Sequence, residues 1–275
     1  MAGSAWLFAD TALARRLEMA EAEGMAEYGQ ALARLRPELG AAVEALGGGY
    51  TVFAGAGSPL SRAVGLGFEG PITAADLDRL EGFYRQRGAP VQVDVCPLAD
   101  ASLLEGLSGR GYRLASFENV WLRPVDAGER FPSPPPAVRV AEIAPAEADL
   151  WIETVSRGFA EREVLAAADL DIAVPFPHLA SMTCLLAWIG DEPAGAASLG
   201  LHRGLASLLN ASTRLAFRGR GVQTALLHHR LALAAAAGCD LATVQTQPGS
   251  ASQRNVERQG FRLAYTKTTL VQHLL

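Results

Sequence analysis

Phe217-Arg218-Gly219-Arg220-Gly221-Val222-Gln223-Thr224-Ala225-Leu226-Leu227 is a basic, glycine-rich turn that runs straight into an apolar helix. The first backbone amides of a helix have no intrahelical acceptor and carry partial positive charge. Two glycines and two arginines at that point therefore make a cradle for a phosphate or pyrophosphate. Ser207-Leu208-Leu209 lies just upstream, which gives the order strand, turn, helix that an anion-binding loop needs. The sequence has no G-x-x-x-x-G-K-S/T, and no G-x-G-x-x-G with an acidic residue at the usual distance. A nucleoside triphosphatase and a dinucleotide fingerprint are thereby set aside.

The chain around this loop has 275 residues, 49% of them apolar. That length suits two domains of about 100 to 200 residues each, and the apolar content supplies two packed cores. A net charge of −5 argues against a general binder of nucleic acid or anionic membrane, so the arginines of the loop are a local feature. Cys96, Cys184 and Cys239 are odd in number, widely spaced and apolar in context. They read as buried thiols of a reducing compartment, with neither a disulfide nor a zinc site expected. Ala5-Trp6-Leu7-Phe8-Ala9 is broken at once by Asp10, and no apolar run approaches a membrane span of about 18 residues. The expectation is a soluble, cytoplasmic protein without nucleic-acid or membrane partners.

Downstream of the loop, residues 241–244 read as the next strand and 250–259 as a short helix. Upstream, 138–143 read as a strand, 146–159 as a helix, and 184–189 with 194–201 as a hairpin around Gly190-Asp191-Glu192-Pro193. The stretch 160–178, with Asp169, Asp171, Pro175 and Pro177, fits no single pattern. Phe131-Pro132-Ser133-Pro134-Pro135-Pro136 can supply neither a helix nor ladder donors and favours an extended spacer, so the domain boundary is placed at residues 131–137. Before it, Leu13, Leu17, Met25, Tyr28, Leu32 and Leu35 recur mostly at three- and four-residue steps between Asp10 and Pro37, a helix with Gly24 as the place where it could bend. A second short helix is expected before Gly47-Gly48-Gly49, then strands at 50–53 and 61–68. A helix capped by Thr73 over 73–87, a strand at 91–95, a helix at 102–110 and a strand at 117–122 complete the half.

The two halves repeat at an offset of 149 residues. Gly111-Tyr112-Arg113-Leu114-Ala115 falls on Gly260-Phe261-Arg262-Leu263-Ala264, Val95 on Val244, and Phe68 on Phe217. Glu69-Gly70-Pro71-Ile72-Thr73 lands on the basic loop. There an acid replaces Arg218, and a proline without an amide replaces a helix-start donor. The first half is expected to keep the architecture and lack the anion site.

The loop resembles the pyrophosphate-binding motif of the GNAT (GCN5-related N-acetyltransferase) superfamily, which runs Gln or Arg, two residues, Gly, one residue, Gly or Ala. Arg218 stands first, Gly221 is the middle glycine, and Gln223 departs from the usual last position, a mild change because the contact runs mainly through backbone amides. The strand at 241–244, the helix at 250–259 and Gly260-Phe261 continue the resemblance, which covers residues 138–275. With the repeat, the chain is similar to tandem GNAT proteins in which one copy has degenerated. The resemblance implies an α/β (α+β) fold of two GNAT-like domains, each a mixed, mostly antiparallel twisted sheet flanked by helices. Residues 1–130 would be the copy without a cofactor site and 138–275 the acetyltransferase domain.

By the same resemblance, acetyl-CoA would place its pyrophosphate on Arg218, Gly219, Arg220, Gly221, Val222, Gln223 and Thr224. Its pantetheine arm would pair like an added strand with Asn210, Ala211, Ser212 and Thr213. The family's Asn and Tyr of the next helix fall on Gly249 and Val256 and are absent. Ser252 and Asn255 are left either to bond the cofactor or to be helix surface. Tyr265 could point to the thioester or be a core tyrosine. His228 and His229 are about 100° apart on a helix and do not easily share a metal, so no metal site is expected. His178 and His202 read as structural, although His178 lies where such a fold receives its acceptor. Asp169, Asp171, Asp191 and Glu192 read as turn or solvated positions. The implied function is transfer of an acetyl group to a small-molecule or peptide amine. The rivals are a non-catalytic acyl-CoA-binding or sensing protein and an interaction scaffold.

Overall fold

Asp10 opens α1 (Thr11–Leu35) by accepting a hydrogen bond from the Leu13 amide at 2.8 Å, and the helix runs unbroken through Gly24. The structure, a computed structural model, describes residues 7–273; Ala5, Trp6, Leu274 and Leu275 of the segments discussed above lie outside them. In place of the expected second helix stands a strand, β1 (Ala42–Leu46), which pairs antiparallel with β2 (Gly49–Phe53). Gly47 and Gly48 hold positive φ angles of 55° and 86° between Leu46 and its partner Gly49. That makes a two-residue hairpin turn, which only glycine-like residues adopt without strain, and it overrides the helical preference of the alanines. Of the strand expected over 61–68, only β3 (Arg62–Val64) forms; Gly65 and Gly67, at φ 71° and 80°, end it.

Thr73 then caps α2 (Ala74–Arg85) in a reciprocal box with Asp76, and β4 (Val91–Val95), α3 (Ala101–Gly109) and β5 (Arg113–Pro124) follow. The proline-rich stretch carries no regular element and leads into β6 (Val138–Glu142), α4 (Ala148–Ala160) and the short α5 (Ala167–Asp171). The strands β7 (Met182–Ile189), β8 (Glu192–His202) and β9 (Leu205–Thr213) form a meander. After the loop come α6 (Val222–Ala236), β10 (Leu241–Thr246), α7 (Ala251–Arg258) and β11 (Arg262–Gln272). At the 149-residue offset α3 falls on α7 and β5 on β11 within a residue or two at each end.

The eleven strands of the described residues join one sheet in the order β1-β2-β3-β4-β11-β5-β10-β9-β8-β7-β6. The two halves exchange their last strands. β11 inserts between β4 and β5, pairing Thr268 with Val95 on one side and Lys267 with Glu118 on the other, while β5 pairs with β10. Trp121 of β5 fixes that seam by donating its indole N–H to Thr246 Oγ1 of β10 at 2.9 Å, both groups buried. One core packs α6 onto the second half's strands, and another packs α2 and α3 onto the first half's. A third, with Leu17 of α1 against Val120, Leu205 and Leu241, lies over the seam.

Candidate active site

β9 and β10 run parallel but are bridged only where Leu205, Ala206 and Ser207 face Leu241, Ala242 and Thr243. Beyond that point β10 stays with β5 as far as Thr246, and β9 stays with β8 as far as Thr213. The strands therefore part. Among the described residues, the edge of β9 from Leu208 onward has no strand on its β10 side. A bulge turns β9 within this stretch, where Asn210 and Ala211 together oppose Ala197 of β8 and Asn210 sits at φ 53°. Asparagine tolerates the left-handed region better than most residues, and its Nδ2 donates to Ser198 Oγ at 2.9 Å.

Arg230 of α6 holds the same bulge from behind. Its buried guanidinium donates to the carbonyls of Ser198 and Leu209, each at 3.2 Å, with no carboxylate partner among the described residues. Burial pulls its pKa down to about 9. The opening between the strands is a cavity of about 290 Å³ lined by Asn210, Ala211, Gln223, Thr224, Ser252 and Asn255, with Val256 beneath them.

At the helix end of this slot, Gly219 and Gly221 adopt φ 74° and 82°, and Gly221 caps α6. Among the described residues, the amides of 219–224 have no acceptor in the chain. Six successive donors with no partner suit an anion at a helix N-terminus. The backbone is crowded as well as exposed, since a Cβ on Gly221 would lie 2.8 Å from Pro135 Cγ. The proline-rich segment thus braces the loop, and its Phe131 ring lies 5.5 Å from that of His228.

The side chains expected at the loop divide. Arg218 is turned away from the amides, donating to Glu161 Oε1 at 2.8 Å and to the Thr213 carbonyl at 3.3 Å. Arg220 lies over the Phe217 ring at 5.6 Å and has no carboxylate partner among the described residues. Val222 is buried in the core, and the Ser212 hydroxyl donates to the Val155 carbonyl of α4 at 2.9 Å. These two contribute backbone alone.

A second cavity, about 370 Å³, opens on the α1 side of the sheet. Glu118, Leu209, Asn210, Val244 and Gln245 line both cavities, so the two meet at the parting of β9 and β10. Sequence reasoning did not single out Glu118, although a carboxylate inside the apolar strand Phe117-Glu118-Asn119-Val120-Trp121-Leu122 is a visible anomaly. It reaches this position because β5 belongs to the first half and borders β10 of the second. Glu118 has no hydrogen bond or ion pair among the described residues. Burial raises its pKa, a rise that Lys267 opposes and Glu21 and Asp94 reinforce.

Tyr265 lies in neither cavity lining. It is buried, and its hydroxyl donates to Glu18 Oε1 at 2.7 Å, which makes it part of the seam under α1 and removes it as a group aimed at a thioester. Burial pushes the Glu18 carboxyl up to about 7, while the ammonium of fully buried Lys267 is held charged by Glu18 and Glu21. Of the histidines, His202 lines the α1-side cavity, paired with Glu23 at 3.0 Å, whereas His178 is exposed and does not. Asp169 bonds the Ala166 amide, and Asp171 pairs with Arg36.

The equivalent helix start of the first half is occupied by its own side chains. Thr73 accepts from the Asp76 amide, Asp76 accepts from the Thr73 amide, the Ile72 amide donates to Ser102 Oγ at 2.8 Å, and Glu69 pairs with Arg15. Pro71 has no amide, the Ile72, Thr73 and Asp76 amides are taken by side chains, and the carboxylate of Glu69 stands where the second half has Arg218.

The sequence matches no protein-family model and no curated protein. Among solved structures, the chain is similar to a GCN5-related N-acetyltransferase from Kribbella flavida, with a TM-score of 0.67 and 18% identity over 94% of this chain and 95% of that one. It is similar also to a tandem GNAT protein from the clavulanic acid biosynthesis pathway, with a TM-score of 0.57 and 13% identity over 72% of this chain and 68% of that one. A GCN5-related N-acetyltransferase from Sphaerobacter thermophilus gives a TM-score of 0.51 and 18% identity over 67% and 59% of the two chains. These likenesses show the fold, a GNAT-type mixed α/β arrangement with a large, mostly antiparallel sheet flanked by helices. Among the described residues no helix is long and apolar enough to cross a membrane.

Proposed function

We propose that this chain is an acetyl-CoA-dependent N-acyltransferase whose single active site lies where β9 and β10 part. The observation that carries the reading is the continuity of the slot: free amides at 219–224 at one end, an unpaired strand edge along its length, and an unpartnered carboxylate at the other. A pyrophosphate fits the amides, and the amide groups of a pantetheine arm fit the edge of β9 as an added strand would. Ser252 and Asn255 offer polar atoms from α7. Acetyl-CoA supplies an acyl carbon whose C–S bond breaks as the amine's N–C bond forms, its thiolate leaving with a pKa not far from that of cysteine, about 8.5. Glu118 accepts the proton of the incoming ammonium so that the nitrogen lone pair is free, and the second proton, lost from nitrogen as the amide forms, goes to the leaving thiolate to give CoA thiol. A backbone amide at the Asn210 bulge would donate to the carbonyl oxygen, and the cleft would supply proximity.

One observation favours a second reading, an acyl-CoA-binding protein without catalysis: Val256, apolar and buried, lines the slot where the family's leaving-group tyrosine would stand. Release of CoA thiol from acetyl-CoA across a panel of primary amines separates the two. Amine-dependent thiol release with matching N-acetyl product supports the transferase; saturable acetyl-CoA binding with no product from any amine supports the second reading.

A further inference from the structure

Resting on the acyl-transfer reading of the adjoining slot, we infer that the acceptor is a primary amine on an apolar, ring-sized body without a carboxylate, seated in the α1-side cavity with its ammonium on Glu118. The walls of that cavity set the body. Leu17, Met25, Tyr28, Leu60, Phe176 and Leu201 line it from both halves of the molecule, and its volume is about 370 Å³. Such a surface gains by burying apolar area and offers an extended polar chain little to bond.

The charges in the cavity set the head group. Among its carboxylates, Glu21 is held by Lys267 and by Gln245 Nε2, Glu23 by His202 at 3.0 Å, and Glu27 by the Ala180 amide at 2.8 Å and the Ser181 hydroxyl. Glu118 alone of the four has no partner among the described residues. It stands where the cavity meets the slot, the place an attacking nitrogen must reach. The cations are already taken, Arg62 by Asp94 at 2.9 Å and His202 by Glu23. A carboxylate on the ligand would meet four carboxylates and no uncommitted cation. A polyamine would find one free carboxylate for several charges. One charge-assisted hydrogen bond corresponds to roughly a ten- to hundredfold change in affinity.

2-Phenylethylamine and L-phenylalanine differ by the carboxylate alone and are the probes, with spermidine as the polyamine. Calorimetry on the full chain at pH 7.5 is expected to show 2-phenylethylamine binding at least tenfold tighter than either of the others. Glu118→Gln is expected to weaken it at least tenfold. Met25→Lys, which adds a cation to the wall, is expected to tighten L-phenylalanine binding above that of the wild type, a gain that a misfolded variant cannot imitate. The inference is overturned by equal or tighter binding of L-phenylalanine or spermidine, by no saturable binding of 2-phenylethylamine, or by unchanged affinity in Glu118→Gln. Acetyl-CoA binding and thiol release are followed separately. If they fail while the amine order holds, the transferase reading falls and the cavity's selectivity stands.

Discussion

Gly221 carries two constraints, a left-handed backbone and the ring of Pro135 against its α-carbon. Gly221→Val is expected to cost about 1–2 kcal/mol of stability from the backbone alone and to weaken acetyl-CoA roughly ten- to hundredfold, because a branched side chain displaces the loop from the phosphates. Gly219 is also left-handed, yet a Cβ there meets open space. Gly219→Ala should therefore show the strain in a thermal melt without the full loss of binding by calorimetry. Arg218 is already paired with Glu161 at a solvent-exposed site, so Arg218→Gln is expected to change affinity less than about fivefold, and less than Arg220→Gln does. At the acceptor end, Glu118→Gln should lower the transfer rate about 100- to 10,000-fold with acetyl-CoA affinity unchanged. Because burial raises the Glu118 pKa against the opposing charge of Lys267, the wild-type rate should climb with pH through a midpoint above the ordinary carboxylate range, and the variant should lose that limb. The loop glycines were legible in the sequence because a glycine before an apolar helix has few other uses. Glu118 was not legible as a site residue, because its role comes from a neighbour, β10, that lies more than 120 residues away in the chain.

At the scale of elements, the β9 bulge and α1 decide the site. Arg230 bonds the carbonyls of Ser198 and Leu209, the pair of strand residues next to the bulge. Arg230→Met removes the guanidinium hydrogen bonds to the Ser198 and Leu209 carbonyls, a loss partly offset by removing a buried charge. Weaker acetyl-CoA binding with a smaller change in melting temperature is the expected outcome. α1 brings Glu18 beneath the cleft beside Lys267, Glu21 and Asp94, where burial lifts its pKa to about 7. The folded chain then holds a proton that the unfolded chain releases above its ordinary value of about 4.3, so this group makes stability fall as pH rises across that window. Denaturant titrations between pH 4 and pH 8 should show that slope in the wild type and a flatter profile in Glu18→Gln; parallel profiles would contradict it. The helix α1 was legible from its three- and four-residue spacing and Asp10 cap. The strand β1 was not, because Ala42-Val43-Glu44-Ala45-Leu46 is helical by composition and becomes a strand through the Gly47-Gly48 turn and the pairing with β2.

At the scale of the whole molecule, the 149-residue repeat was legible because both halves keep the same order of strand, helix and Gly-aromatic pair. The exchange of β5 and β11 was not, because two strands at equivalent places in the repeat, both opening Arg-Leu-Ala, do not say which copy pairs with which. Its consequence is that residues 138–275 alone would leave β11 without either partner and β10 without β5. That fragment is expected to aggregate or dimerise on gel filtration and to recover acetyl-CoA binding only when residues 1–130 are supplied in trans. The same architecture offers two helix starts, and chemistry selects one of them: the first is filled by Asp76 and Ser102, the second presents free amides. Calorimetric titration of the full chain with acetyl-CoA tests this most directly. A stoichiometry near one, with the affinity weakened roughly ten- to hundredfold by Gly221→Val and unaffected by Glu69→Gln, is the predicted result; a stoichiometry near two, or binding that survives Gly221→Val unchanged, would contradict it.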